Sequence, residues 1–180
     1  GDAMGVTLPG YSTRIVGDDG LDVPAGSVGE LWLRGPGVLQ GYHGDADATA
    51  DALTEDGWLR TGDLARRGPL GSVVFAGRRK DVVKVGGYSV FSAEVERALE
   101  AHPDVLEAAV VGLPDDRLGQ VPAAAVRLRE GSSSTPDSLV QWARESMASY
   151  KAPRRIVVVD DLPRTGTQKV QKRELLPLFE

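Results

Sequence analysis

Cysteine is absent from the 180-residue sequence, so neither a disulfide framework nor a thiolate metal site can form, and the absence leaves the compartment open. Histidine occurs only twice. His43 and His102 have no partner at metal-ligand spacing, and no metal site is expected. No apolar run approaches the roughly 20 residues of a membrane-spanning helix, so no transmembrane segment is expected. Net positive charge is missing too. The formal charge of −5 argues against a diffuse field for nucleic acid and predicts no nucleic-acid partner. The first ten residues, GDAMGVTLPG, carry neither the basic nor the apolar stretch of a secretory leader, which makes a cytoplasmic location the expectation. Lysine does not occur before position 80. The chain has 16 arginines and 5 lysines, so each lysine marks a place where a compact ammonium suits better than a guanidinium fork.

What is present is ordinary for a globular protein: 41% hydrophobic and 26% charged residues, in a length that suits one medium domain or two small ones. Residues 1–10 read as an extended lead-in ending at Pro9-Gly10. Strands follow at Tyr11–Val16 and at Gly29–Arg34, where Leu31 and Leu33 alternate with polar neighbours. Asp45 is placed to cap a short helix to Leu53. Trp58–Arg60 and Ser72–Ala76 read as further strands between Gly/Pro turns, a pattern that suggests a small barrel-like β-rich piece.

The pattern changes across GRRKDVVKVGGYSVFSAEVER, residues 77–97. Before this stretch stand short strands; after it, helices and strands alternate. A helix is predicted from Ser92 to about Ala101, with Glu94 and Glu96 in its first turn, stopped by His102-Pro103. Strands are predicted at Val105–Leu113, Val121–Arg129 and Arg155–Val159, a helix from about Pro136 to Met147 with Trp142 in its core face, and a helical turn or two at Lys172–Phe179. This order implies a small α/β domain with helices flanking a central sheet. The fold class is therefore α+β or α/β, with a joint near residue 80.

Three constellations carry candidate chemistry. Thr61-Gly62-Asp63-Leu64 can present a carboxylate to the vicinal hydroxyls of a ribose, although a plain turn after a strand uses the same residues. Arg78-Arg79-Lys80-Asp81 is a charged run that also suits a solvated loop. Arg164-Thr165-Gly166-Thr167-Gln168-Lys169 is a polar loop ending on a lysine, of a kind that suits phosphate, and equally a surface hairpin.

In order, GELWLRGPGVLQGY, GWLRTGDL, GRRKDVVKVGGYSVFSAEVE, SYKAP and LPRTGTQKVQKREL resemble the C-terminal part of the adenylate-forming enzymes, in their acyl-CoA synthetase branch. That superfamily also holds luciferases and the adenylation domains of peptide synthetases. The resemblance implies a fragment: a β-rich subdomain of the large AMP-binding domain (residues 1–79) followed by the mobile C-terminal domain (80–180), with the phosphate loop and acyl pocket upstream on a missing N-terminal portion. It implies an acid–thiol ligase of fatty or other carboxylic acids. Such an enzyme uses ATP with Mg²⁺ to make an acyl-AMP and pyrophosphate, then passes the acyl group to the thiol of CoA.

By position in the motifs, Lys169 matches the lysine of the adenylation step, Asp63 the carboxylate that holds the ribose, and Arg78 the arginine beside the nucleotide. Lys80 matches the hinge residue about which the C-terminal domain rotates between half-reactions. Gly86 and Gly87 match the glycines at the pantetheine tunnel, where a side chain would obstruct the thiol arm. The pattern departs from the family at Gln168, which replaces a glycine and predicts a stiffer loop, and at Ser89-Val90-Phe91. Two alternatives stand beside this reading: a ligase that loads a carrier-protein phosphopantetheine, and a noncatalytic binding module that keeps the fold.

Overall fold

The computed structural model describes residues 3–180; Gly1 and Asp2, the start of the expected lead-in, lie outside the described residues. The chain divides into two compact units, Gly1–Lys80 and Asp81–Glu180. Among the described residues, no helix is long and apolar enough to cross a membrane.

The first unit is β-rich. Strands β1 (Ala3–Gly5), β2 (Ser12–Val16), β3 (Gly29–Arg34), β4 (Leu59–Arg67) and β5 (Val73–Arg78) form one antiparallel sheet in the order β1-β5-β4-β3-β2. The alternation in GELWLR turns Leu31 into a core with Ile15, Ala65 and Val73. Trp32 sits in register between Arg14 of β2 and Arg60 of β4, and each guanidinium carbon lies 5.6 Å from its ring. Trp58 is buried under Arg14 and Arg34, at 5.5 and 4.9 Å. Both tryptophans are thus held by stacked cations. Helix α1 (Ala46–Ala52) begins where expected, with Asp45 Oδ1 accepting the Ala48 N–H at 2.9 Å.

One sequence expectation fails in this unit. Thr61-Gly62-Asp63-Leu64 is not a turn between two strands. It lies inside β4, where Glu30 pairs with Leu64 and Trp32 with Arg60, so Thr61, Gly62 and Asp63 all stand opposite Leu31. Gly62, at φ +70°, absorbs the surplus as a bulge in place of a chain reversal.

The second unit is built on β9 (Gly119–Leu128), which pairs antiparallel with β8 (Val105–Asp115) and parallel with β10 (Arg155–Val158). The hairpin of β6 (Val82–Val85) and β7 (Tyr88–Phe91) joins the sheet where Val85 meets Gly119. Both sheet faces are covered. Ala108, Val110, Ala124 and Val126 pack with Val95 and Leu99 of α2 (Ser92–Glu100) and with Leu139 and Ala143 of α3 (Pro136–Ser146). Ala109, Val111, Ala123 and Ala125 pack with Leu162, Leu175 and Phe179, the last two from the 3₁₀ helix Lys172–Phe179. Burial on two sides explains the continuous apolar runs in these strands.

Helix α3 opens with a reciprocal cap: Thr135 Oγ1 accepts the Ser138 N–H, and Ser138 Oγ accepts the Thr135 N–H. Helix α2 begins at Ser92 as expected, and the Ser92 hydroxyl donates to the carbonyl of Asp81. Glu94 lies in the first turn, while Glu96 lies beyond it and accepts the Val110 N–H at 2.8 Å. Glu100, one turn further, accepts the Ala108 N–H at 3.2 Å. Strand β7 was not anticipated, because its four residues separate the glycine pair from the helix without a clear alternation.

Candidate functional site

In the first unit the bulge is a built feature. Glu30 is buried, and its Oε1 accepts the Gly62 N–H at 3.0 Å. Its Oε2 accepts from Trp32 Nε1 at 3.1 Å and from Arg79 Nη1 at 2.9 Å. Thr61 Oγ1 donates to the Leu31 carbonyl at 2.7 Å and accepts the Asp63 N–H at 3.1 Å. These bonds fix the backbone on either side of Asp63.

Asp63 is in register with Arg78, and Asp63 Oδ1 stands 2.9 Å from Arg78 Nε. That oxygen is buried against the guanidinium without an aligned hydrogen bond, while the Asp63 side chain as a whole keeps 22% of its surface exposed. A carboxylate held by a guanidinium and still partly exposed can accept from further donors. The vicinal hydroxyls of a ribose are donors of the right kind.

At the joint, three consecutive residues behave differently. Arg79 is tied into the first unit through Glu30 and through Asp18, at 3.3 Å. Asp81 is tied into the second: its carbonyl accepts from Ser92, and its carboxylate lies 3.7 Å from Lys172 Nζ. Lys80 between them is exposed and forms no ion pair among the described residues.

In the second unit, Gly86 and Gly87 are the two central residues of the β6–β7 hairpin, between the paired Val85 and Tyr88. Their φ angles of +54° and +87° are those of a tight two-residue turn, which favours glycine for backbone reasons alone. Tyr88, after the turn, stacks on Tyr150 with ring centroids 4.7 Å apart, and Lys151 pairs with Glu94 at 2.6 Å. The SYKAP segment is thereby joined to this hairpin.

Lys169 is exposed in the hairpin closed by the Arg164–Val170 bridge. The Thr165 N–H donates to the Lys169 carbonyl at 2.8 Å, and the Lys169 N–H to Thr165 Oγ1 at 3.2 Å. Gln168 has φ +64°, the left-handed conformation that favours glycine.

The structure thus brings Asp63 and Arg78 together in one unit and places Gly86, Gly87 and Lys169 in the other, on two different hairpins. Lys80 ends the first unit. Three contributors were missed in the sequence: Glu30, the Tyr88–Tyr150 stack and Lys172. Glu30 alone left a signal, as an acid on the tryptophan-bearing face of a strand. Among the described residues no group of three or more His, Cys, Asp or Glu fits a metal ion. His102 instead accepts the Asp104 N–H through Nδ1 and packs edge-on against Trp142.

The topology agrees with the comparisons. Residues 94–169 match the AMP-binding enzyme C-terminal domain. The chain belongs to the adenylate-forming enzymes. Among its relatives, indoleacetate–CoA ligase of Aromatoleum aromaticum is 41% identical over 176 residues, which cover 98% of this chain and 34% of that protein. ATP-bound MatB from Rhodopseudomonas palustris superposes with a TM-score of 0.93 at 34% identity, covering 99% of this chain and 36% of MatB. The amide bond synthetase McbA from Marinactinospora thermotolerans gives a TM-score of 0.92 at 37% identity, with 99% and 36% covered. The chain therefore spans about a third of the length of the proteins it matches.

Proposed function

We propose that the chain is the C-terminal part of an ATP-dependent acyl-CoA synthetase, which joins a carboxylate to AMP with release of pyrophosphate and then moves the acyl group to the thiol of CoA. The observation that carries this reading is the Asp63 carboxylate, paired with Arg78 and still partly exposed, on a bulge that Glu30 and Thr61 hold in place. Asp63 would accept from the ribose hydroxyls. Arg78 would set positive charge beside the same nucleotide.

Lys169, exposed on its hairpin, supplies a flexible ammonium for the negative charge that grows on the phosphoryl and carboxylate oxygens during adenylation. Lys80 is the hinge: its neighbours are anchored in different units while it is not, so φ and ψ changes there break no ion pair. Gly86 and Gly87 form the wall past which the pantetheine arm reaches. Mg²⁺ travels with the ATP phosphates; the described residues hold no donor set that fits it, and no step is assigned to it through this chain. The domain limits, 1–79 and 80–180, and a cytoplasmic location belong to the same proposal. The acyl group, fatty or otherwise, is chosen upstream.

A second acceptor class follows from McbA, an amide bond synthetase that shares this fold and 37% of the sequence. An amine would then take the acyl group from the adenylate in place of a thiol. Intact enzyme preloaded with acyl-AMP decides: thioester on addition of CoA supports the proposal, whereas amide on addition of amines and no thioester rejects it. The 180-residue chain alone should show no ATP–pyrophosphate exchange, and exchange by the pure chain would refute the fragment reading. In the intact enzyme, Lys169→Ala should abolish adenylation and spare transfer from synthetic acyl-AMP. Lys80→Pro should impair one half-reaction by fixing the hinge. Equal loss of both half-reactions in both variants rejects the two-state scheme.

A further inference from the structure

Lys172 lies three residues beyond Lys169, at the start of the 3₁₀ helix, and its ammonium is the meeting point of separate segments. Nζ stands 2.7 Å from Glu96 Oε1 on α2 and 3.7 Å from Asp81 Oδ2, the first residue of the second unit. Glu96 Oε1 also accepts the Val110 N–H of β8 at 2.8 Å. The side chains of Lys172, Asp81 and Glu96 are only 22%, 24% and 17% exposed, so solvent screens them less than a surface pair. The other end of the Lys169 hairpin is fastened as well. Arg164 pairs with Glu107 of β8, and Gln171 donates through its backbone N–H to Pro163 O and through Nε2 to Arg164 O.

We propose that Lys172 is a positioning residue that locks the Lys169 hairpin to Asp81, the residue immediately after Lys80, so that hinge and hairpin move as one body. The proposal rests on the reading of Lys169 and Lys80 given above. Its physical basis is stiffness. Rotation at Lys80 acts first on Asp81, which Ser92 holds by its carbonyl and Lys172 by its carboxylate. Lys172 is in turn bound to Glu96, and Glu96 to the central hairpin β8–β9. A turn at the joint is delivered to Lys169 through ion pairs and strand hydrogen bonds, without a flexible segment between. Removing the ammonium leaves Asp81 and Glu96 without their shared cation and frees the hairpin at one end.

The first test uses the 180-residue chain and no activity. Backbone amide exchange is followed at Thr165 and Gln168 in the wild type, Asp81→Asn, Lys172→Met and Lys172→Arg. Asp81→Asn, remote in sequence from the hairpin, should speed exchange at both amides several-fold. Lys172→Met should do the same and Lys172→Arg should restore protection, while Ala109 and Ala125 stay protected throughout as a control for folding. Unchanged hairpin exchange in Asp81→Asn overturns the proposal. If Lys172→Met fails to fold, Asp81→Asn and Lys172→Arg still decide it.

The second test uses the intact enzyme. Lys172→Met should lower kcat for adenylation roughly 10- to 100-fold with KM for ATP little changed, since a misplaced reacting group is costly while binding is not affected. Lys172→Arg should recover most of the rate. Full activity in Lys169→Ala rejects the parent reading. Loss in Lys169→Ala with full activity in Lys172→Met rejects only the positioning role.

Discussion

Asp63 and Arg78 are directly paired across β4 and β5, and the carboxylate oxygen 2.9 Å from the guanidinium remains without an aligned hydrogen bond. A pair optimised for stability would share a two-point contact. This one keeps its charge attraction and leaves the rest of the carboxylate partly exposed, which a donor-bearing ligand can use. Asp63→Asn retains the shape but loses the charge. The intact enzyme should bind ATP about 10- to 100-fold more weakly, the range of one charged hydrogen bond, as measured by calorimetry. The unfolding free energy of the chain should move by less than ~1 kcal/mol, since Arg78 is half exposed.

Glu30 should show the opposite balance. Its buried carboxylate satisfies the Gly62 N–H, the Trp32 indole and Arg79. Glu30→Ala leaves these donors without an acceptor and opens the bulge, at a cost of roughly 2–4 kcal/mol. Urea unfolding followed by tryptophan fluorescence measures it. Nucleotide binding should fall too, because Asp63 loses its support.

The left-handed backbone positions make a paired prediction. Gly87→Ala meets no atom within 4 Å, so its cost is backbone strain alone, about 1–2 kcal/mol. Gly86→Ala adds a 3.0 Å approach to Leu118 Cδ2 and should be somewhat worse, whereas Gly86→Asn should be tolerated better. Gln168→Gly runs the other way. It removes strain at φ +64° and should raise the stability of the chain or leave it unchanged, as read by thermal denaturation.

Glu100 supplies the pH dependence. Burial pushes its carboxyl above the ordinary 4.5; the Ala108 N–H opposes the shift, and Glu96 and Glu107 reinforce it. A carboxyl whose pKa is higher folded than unfolded binds its proton more tightly in the fold. Its contribution to stability is complete below the unfolded value and is lost as pH rises through the folded one. Glu100→Gln keeps an oxygen for the Ala108 N–H and removes the charge. The variant should therefore gain stability relative to wild type as pH rises above 4.5, and a Tm difference that is flat with pH would contradict this.

Much of the second unit was legible because burial on both faces writes long apolar runs, and because Thr135-Pro136 is an unmistakable start to a helix. The joint was legible from composition. The bulge was not, since Thr-Gly-Asp has identical local chemistry in a turn and in a bulge, and only Glu30, about thirty residues away in sequence, decides between them. Glu96 was misjudged for the same reason. From the helix alone it is one more acid near an N-terminus, and its partners Val110 and Lys172 are distant in sequence. Gly86 and Gly87 were assigned to clearance for a ligand arm, yet the hairpin favours them before any ligand is considered.

Those same acids have a consequence for the solubility of the second unit. Among the described residues strand β8 pairs only with β9, so its outer edge would offer a template to any other extended chain. Glu100 and Glu96 occupy the Ala108 and Val110 amides along that edge, two positions that a foreign strand would need. Their charges repel it as well. A helix laid beside an edge strand here does the work of a missing strand without being one, and the apolar centre of the unit is kept from seeding aggregates.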